Sequence, residues 1–201
     1  MATELHQERL DCVLRHLLDS AARSVVDLGC GTGELLCLLA GQAQFQRILG
    51  IDIDREALAE ARLLLGLELA ATGGRIDIQQ ASFEQFDRAL MGFDAAVLLE
   101  TIEHIEPGRL ARVEQAVFGQ MRPTLVLITT PNQEYNLVYG MAPGQMRHPG
   151  HRFEWSRPRF QHWAQGVADR QRYRVRFIDI GPPHPLHGSS TQMARFERSD
   201  D

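Results

Sequence analysis

Apolar positions recur at helical spacing from residue 4 to 18, where Leu5, Leu10, Val13, Leu14, Leu17 and Leu18 share roughly one face. The spacing then collapses into a short run, Ser24-Val-Val-Asp-Leu28, which predicts a buried strand leading into Gly29-Cys-Gly-Thr-Gly33 and a helix over 34–40. A strand over 47–52 follows, then a helix N-capped by Asp54 and reaching about Ala71. Gly73-Gly74 interrupts the pattern, residues 75–79 alternate as a third strand, and residues 93–99 make a fourth. A helix over 109–120 and a fifth strand over 124–129, stopped by Pro131, come next. Residues 131–155 show no periodicity and predict an irregular loop, of a length that usually carries function. Beyond it lie a helix over 158–169 and strands over 173–180 and 191–196.

Strands alternating with helices at this spacing predict a doubly wound α/β architecture on a mostly parallel sheet. Composition agrees: 201 residues, 44% hydrophobic and 23% charged, are one domain's worth of chain with a sizeable core. No apolar run approaches the roughly 20 residues of a membrane helix, and the first residues lack the cationic start and apolar stretch of a secretory signal. Cys12, Cys30 and Cys37 form no C-x-x-C pair, so neither a zinc site nor a disulfide framework is expected, and a reduced, cytoplasmic compartment fits best. The net charge of −5 conceals an asymmetry. Residues 1–140 carry 11 Arg against 20 Asp and Glu, whereas between Arg147 and Arg176 there are 8 Arg and 2 acids. A basic segment on an acidic chain points to a local anionic partner rather than to general polyanion binding, although charged helix and strand faces would give the same count.

The glycine turn is the first candidate site. Gly29, Gly31 and Gly33, with Thr32 between, allow close approach of a ligand to the backbone at a helix N-terminus. Asp52 ends the second strand 19 residues after Gly33, where an acid accepts ribose hydroxyls. Asp27 precedes the first glycine; a carboxylate there suits a cofactor ammonium and opposes a pyrophosphate, which argues against NAD. This D-L-G-C-G-T-G, with its acid at the next strand end, resembles class I S-adenosylmethionine-dependent methyltransferases. The resemblance implies a Rossmann-like, seven-stranded sheet that closes in a C-terminal antiparallel hairpin, with Ser82 and Phe83 bordering the adenine.

The second candidate site follows the fourth strand, in Glu100-Thr-Ile-Glu-His-Ile-Glu106. If 100–104 is a helical turn, Glu100, Glu103 and His104 fall on one face at the carboxyl end of a central strand. Two carboxylates this close repel unless one is protonated or a cation lies between them, and the cation is the simpler answer near neutral pH. A further ligand would come from His148 or His151 in the irregular loop. Such a set suits an octahedral Mn²⁺ or Mg²⁺, with the imidazoles favouring Mn²⁺.

Glu100-x-x-Glu103-His104, Thr130-Pro-Asn-Gln-Glu-Tyr-Asn136, His151-Arg-Phe-Glu-Trp155 with Arg157, and Gly188-x-x-Thr191-Gln-Met-Ala194 together resemble HEN-type small-RNA 2′-O-methyltransferases. The resemblance implies methyl transfer from S-adenosylmethionine to the 2′-hydroxyl of the RNA 3′-terminal nucleotide. It implies catalytic metal ligation by Glu100, Glu103, His104 and His151, with His148 in reserve. Asn132, Tyr135, Arg152 and Arg157 are the implied RNA contacts, and Tyr135, Phe153 or Trp155 the candidates for stacking on the last base. The sequence departs from the family at Gly150, where an acid is usual, and in Leu5-His-Gln-Glu-Arg9, which matches the family's L-x-x-Q-R region only in part. With no accessory RNA-binding or ligase domain in the sequence, a partner from RNA repair or RNA silencing is expected to choose the RNA. Two other functions share these features: a small-molecule O-methyltransferase acting on a diol, and a non-catalytic subunit that binds RNA ends.

Overall fold

The computed structural model describes residues 4–67, 74–85 and 87–199. Its centre is a seven-stranded sheet in the order β3-β2-β1-β4-β5-β7-β6. The strands are β1 (Ser24–Leu28), β2 (Arg47–Asp52), β3 (Ile76–Gln80), β4 (Ala95–Leu99), β5 (Leu125–Pro131), β6 (Tyr173–Ile180) and β7 (Thr191–Arg198). The first five are parallel, and β7 inserts antiparallel between β5 and β6. Helices α1 (Glu4–Leu18), α2 (Glu34–Ala40) and α3 (Arg55–Leu64) cover one face. The other face is covered by α4 (Leu110–Val113), its π-helical continuation Glu114–Met121, and α5 (Arg157–Gln171).

Side-chain alternation along the strands divides the interior in two. Val25, Ile48 and Val97 join Leu10, Leu17 and Leu36 on one side, while Val26, Leu49 and Leu98 join Phe118, Phe160 and Phe196 on the other. In the central strands, β4 and the first half of β5, side chains are apolar on both faces, as a parallel sheet covered by helices on both faces requires. Strand order reverses between β1 and β4, which opens a crevice at their carboxyl ends.

The structure corrects several boundaries. The helix capped by Asp54 ends at Leu64 rather than near Ala71; residues 68–73, which include the expected end and Gly73, lie outside the described residues. The helix expected over 109–120 starts as a 3₁₀ turn (Pro107–Arg109) and widens to π after Val113, which turns Ala116, Val117, Phe118 and Met121 all inward. Strand β5 runs through Pro131 instead of stopping before it. The Asn132 N–H donates to the Ser190 carbonyl, so Pro131 falls at a non-hydrogen-bonded position opposite Thr191. Its nitrogen therefore faces the β4 side, where β4 has already ended at Leu99, and the missing N–H breaks no ladder bond. The loop over 131–155 contains a 3₁₀ turn (Gln133–Leu137) and an Asn132–Trp155 bridge.

Gly50 on β2 is where α2 comes closest to the sheet. A Cβ there would overlap Leu36 Cδ1 and lie 2.9 Å from Cys30 Sγ. Gly50→Ala is expected to lower stability by about 1–3 kcal/mol in denaturant unfolding, and Leu36→Ala in the same chain to recover part of that loss.

Candidate active site

The turn after β1 is fixed by β2. The N–H groups of Gly29 and Cys30 donate to the Ile51 carbonyl at 2.8 and 2.9 Å, and that of Gly31 donates to Asp52 Oδ2 at 2.9 Å. Gly29 adopts φ 88°, and a Cβ there would meet Thr101 Cγ2 at 2.7 Å, so the turn after β1 touches the turn after β4. Gly33 caps α2 in the left-handed region. Asp52 Oδ1 accepts from the Asp54 N–H at 2.9 Å, which holds the carboxylate at the tip of β2.

Two cavities flank Gly29 and share Glu100 as a wall. One, of about 200 Å³, is bounded by Asp27, Gly29, Gly31, Thr32 and Leu99. The other, of about 440 Å³, is bounded by Asp52, Ser82, Phe83, Thr101 and His104. The expected cofactor residues are thus brought together around one turn. Asp27 is buried and its Oδ1 has no hydrogen-bond partner among the described residues. Burial, and then the Asp52 carboxylate, push its pKa up to about 7.

Glu100 is not helical. It adopts φ 51°, and only Ile102–His104 after it form a 3₁₀ turn. A backbone kink therefore brings Glu100 beside Glu103, in place of the single helical face expected from the spacing. Strand β5 braces the kink: Thr129 Oγ1 accepts from the Glu100 N–H at 2.9 Å, and the Thr130 hydroxyl donates to Glu103 Oε2 at 3.0 Å. From α1, Arg9 reaches Glu100 Oε2 at 2.9 Å and donates to Thr191 Oγ1 at 2.7 Å. The other oxygens, Glu100 Oε1 and Glu103 Oε1, are buried without a hydrogen-bond partner among the described residues. Burial raises the pKa of both carboxyls, and Glu100 raises that of Glu103 further.

The loop brings imidazoles to the same place. His104, His148 and His151 offer ligand atoms within 4.8 Å of one another; the two carboxylates stand outside that group, each held through one oxygen. His104 Nδ1 lies 3.2 Å from the Gly150 carbonyl, and His151 Nδ1 lies 2.6 Å from Glu154 Oε1. His148 differs, since its Nδ1 accepts from the Gly150 N–H at 3.0 Å. Burial, and then the His151 imidazole, lower the pKa of His104. The Arg152 N–H donates to the Glu103 carbonyl at 2.7 Å and ties this loop to the turn after β4.

Arg147 pins the loop. Its N–H donates to Glu154 Oε1 at 2.7 Å, its Nε to Asn136 Oδ1 at 2.6 Å, and its Nη atoms to Ser190 and to the Asn132 carbonyl. Arg9 and Glu154 lie inside segments compared with the family, but the sequence assigns neither of them a role. The His151-x-x-Glu154 spacing carries a signal for the second, whereas the Arg9 contact spans 91 residues and leaves no local pattern.

The expected RNA contacts are dispersed. Asn132 is fully buried, with its amide donating to the His187 and Ser189 carbonyls and accepting from the Glu134 N–H. Tyr135, Phe153 and Trp155 are buried, the last two stacked at 4.3 Å, so these rings are core and are not open to a base. Arg157 pairs with Glu134 at 2.8 Å, and exposed Arg152 lies 3.4 Å from Glu106. Arg170 pairs with Glu114, away from the histidines.

A family model described as a methyltransferase domain matches residues 25–124. The chain is 36% identical to a small RNA 2′-O-methyltransferase of Xenopus tropicalis, over 97% of this chain and 55% of that protein. It is 31% identical to one of Arabidopsis thaliana, over 96% of this chain and 22% of that protein. The chain thus spans about half or less of the curated relatives it matches. The crystal structure of the methyltransferase domain of bacterial CtHen1-C superposes with a TM-score of 0.87 at 39% identity, covering 98% of this chain and 100% of that one. With both glycine turn and histidine loop inside the matched length, the chain belongs to the Hen1 methyltransferase-domain family, on the α/β fold of S-adenosylmethionine-dependent methyltransferases.

Proposed function

We propose that this chain moves a methyl group from S-adenosylmethionine to the 2′-hydroxyl of the 3′-terminal nucleotide of a small RNA, with a divalent cation held by Glu100, Glu103, His104 and His151. The observation that carries this reading is the pair of buried, unpartnered carboxylate oxygens, Glu100 Oε1 and Glu103 Oε1, beside converging imidazoles. Burying two such oxygens together is costly unless a cation or proton satisfies them. Two carboxylates with two neutral imidazoles suit Mn²⁺ or Mg²⁺. A cation bound there would supply Lewis acidity that brings the pKa of a ribose hydroxyl toward neutrality.

The chain's own groups prepare that site. His104 and His151 each direct Nδ1–H at an oxygen, which leaves Nε2 with its lone pair, as metal-binding histidines require. His148 accepts at Nδ1, so its neutral form carries the proton on Nε2; this favours His151 over His148 as the ligand. Glu154 orients His151 through its Oε1, 2.6 Å from Nδ1. Arg9, 2.9 Å from Glu100 Oε2, opposes the rise that burial causes in the Glu100 pKa. At the neighbouring turn, the unpartnered Asp27 Oδ1 suits the ammonium of the cofactor, and Asp52 with Ser82 and Phe83 suits its adenosine. Arg152, next in the chain to His151 and exposed, suits a phosphate.

Labelled methyl transfer to a short RNA is expected to require Mn²⁺ and to vanish when the terminal nucleotide is 2′-deoxy; equal labelling of both RNAs would overturn the reading. Glu103→Gln is expected to abolish turnover with cofactor affinity within about twofold, and Glu154→Gln to weaken Mn²⁺ binding about 10–100-fold. Asp27 gives a pH prediction. Its pKa is about 7 when folded and about 4 when unfolded. The folded state therefore keeps the proton longer, and cofactor-free stability falls as pH rises through this window. Asp27→Asn is expected to flatten that fall, to melt several degrees above the parent near pH 8, and to bind S-adenosylmethionine at least about tenfold more weakly. A variant with the parent's pH slope in thermal melts would contradict the assignment.

A further inference from the structure

With Tyr135, Phe153 and Trp155 buried, the loop still presents one phenol ring to solvent. Tyr139 follows the 3₁₀ turn Gln133–Leu137 and is 49% exposed, beside Leu137 at 55% and Val138 at 41%. The ring is held as well as exposed. Its hydroxyl lies 2.7 Å from Ser190 Oγ, the Arg147 guanidinium lies 5.1 Å from its centroid, and Tyr135 meets it edge-on at 5.2 Å. Arg147 connects this ring to the candidate centre: its N–H donates to the Glu154 oxygen that holds His151, and its charge acts on Glu100.

An exposed apolar surface whose aromatic member is already fixed loses little conformational freedom when a flat ligand lands on it. The Arg147 guanidinium, itself held by Asn136, Ser190 and Asn132, lies against the ring and helps to fix it. We propose that Tyr139, steadied by Arg147 and flanked by Leu137 and Val138, is the stacking platform for a nucleobase at the 3′ end of the RNA. The proposal rests on the RNA-methylating reading above and adds to it the surface that takes the base. Every base has a π-face, so this platform accepts all of them and confers no sequence preference.

The test is steady-state methylation of a short single-stranded RNA by the full chain with Mn²⁺, alongside anisotropy binding of the same RNA. Tyr139→Ala is expected to raise KM for RNA and the dissociation constant about tenfold, with kcat within about twofold and a melting temperature lowered by no more than about 5 °C. Tyr139→Phe is expected to restore KM, whereas Tyr139→Leu, which keeps apolar bulk without the π-face, is not. The deciding comparison uses RNAs that keep every ribose hydroxyl but are abasic at the last or the penultimate position. Removal of one of these bases is expected to weaken binding to the parent chain by the same factor as Tyr139→Ala, with no further loss when variant and abasic RNA are combined. Losses that multiply at both positions, or a Tyr139→Ala KM equal to that of the parent, would overturn the platform. If the parent chain binds cofactor and methylates no RNA, the function proposed above fails instead.

Discussion

Glu100 and Glu103 are buried side by side after β4, and each has one oxygen without a partner among the described residues. Their mutual repulsion in a poorly solvated place is what the surrounding architecture contains. Arg9 arrives from α1, Thr129 and Thr130 from β5, and the Arg152 N–H from the loop, so groups from widely separated parts of the chain meet on one short kink. The left-handed backbone at Glu100 belongs to this arrangement. A non-glycine residue at φ 51° is held only where its neighbours determine it, and here the Thr129 hydroxyl and Arg9 do so.

The same kink sets the relation between the two halves of the site. Glu100 bounds both cavities around Gly29, and Thr101 fills the space that a side chain at Gly29 would need. The turn that suits a cofactor and the cluster that suits a cation are therefore in van der Waals contact, at the point where strand order reverses. Proximity of this kind supplies much of what a transfer reaction between two bound groups needs, since reacting atoms held in register avoid the entropic cost of encounter.

The sequence exposes what is local. Buried strands such as β1 and β5 are apolar runs, Asp54 is a helix cap read from its position, and the glycine turn with Asp52 carries its own spacing. Glu100, Glu103, His104 and His151 are legible as chemistry because carboxylate and imidazole clusters are rare in short windows. What escapes is non-local or depends on packing. No periodicity tells a ring buried against Trp155 from one left at the surface, so Phe153 and Tyr139 look alike in sequence and differ in the fold. The π-helical widening after Val113 is a response to apolar residues that exceed one α-helical stripe. Neighbouring strands, rather than a rule about the residue, decide whether Pro131 ends β5.

Strand β7 is the last of the seven in chain order, yet it lies between β5 and β6 and, with Ser190 just before it, meets the site through Thr191 and Gln192. On a ribosome, β5 and β6 emerge before the strand that separates them. Until residues near 192 are available, Arg9 lacks its Thr191 contact, Arg147 lacks Ser190, and the histidine loop lacks its pin. Vectorial synthesis therefore delivers the glycine turn first and the contacts that pin the histidine loop last. A nascent chain stalled before β7 has its glycine turn but lacks the Thr191 and Ser190 contacts of Arg9 and Arg147.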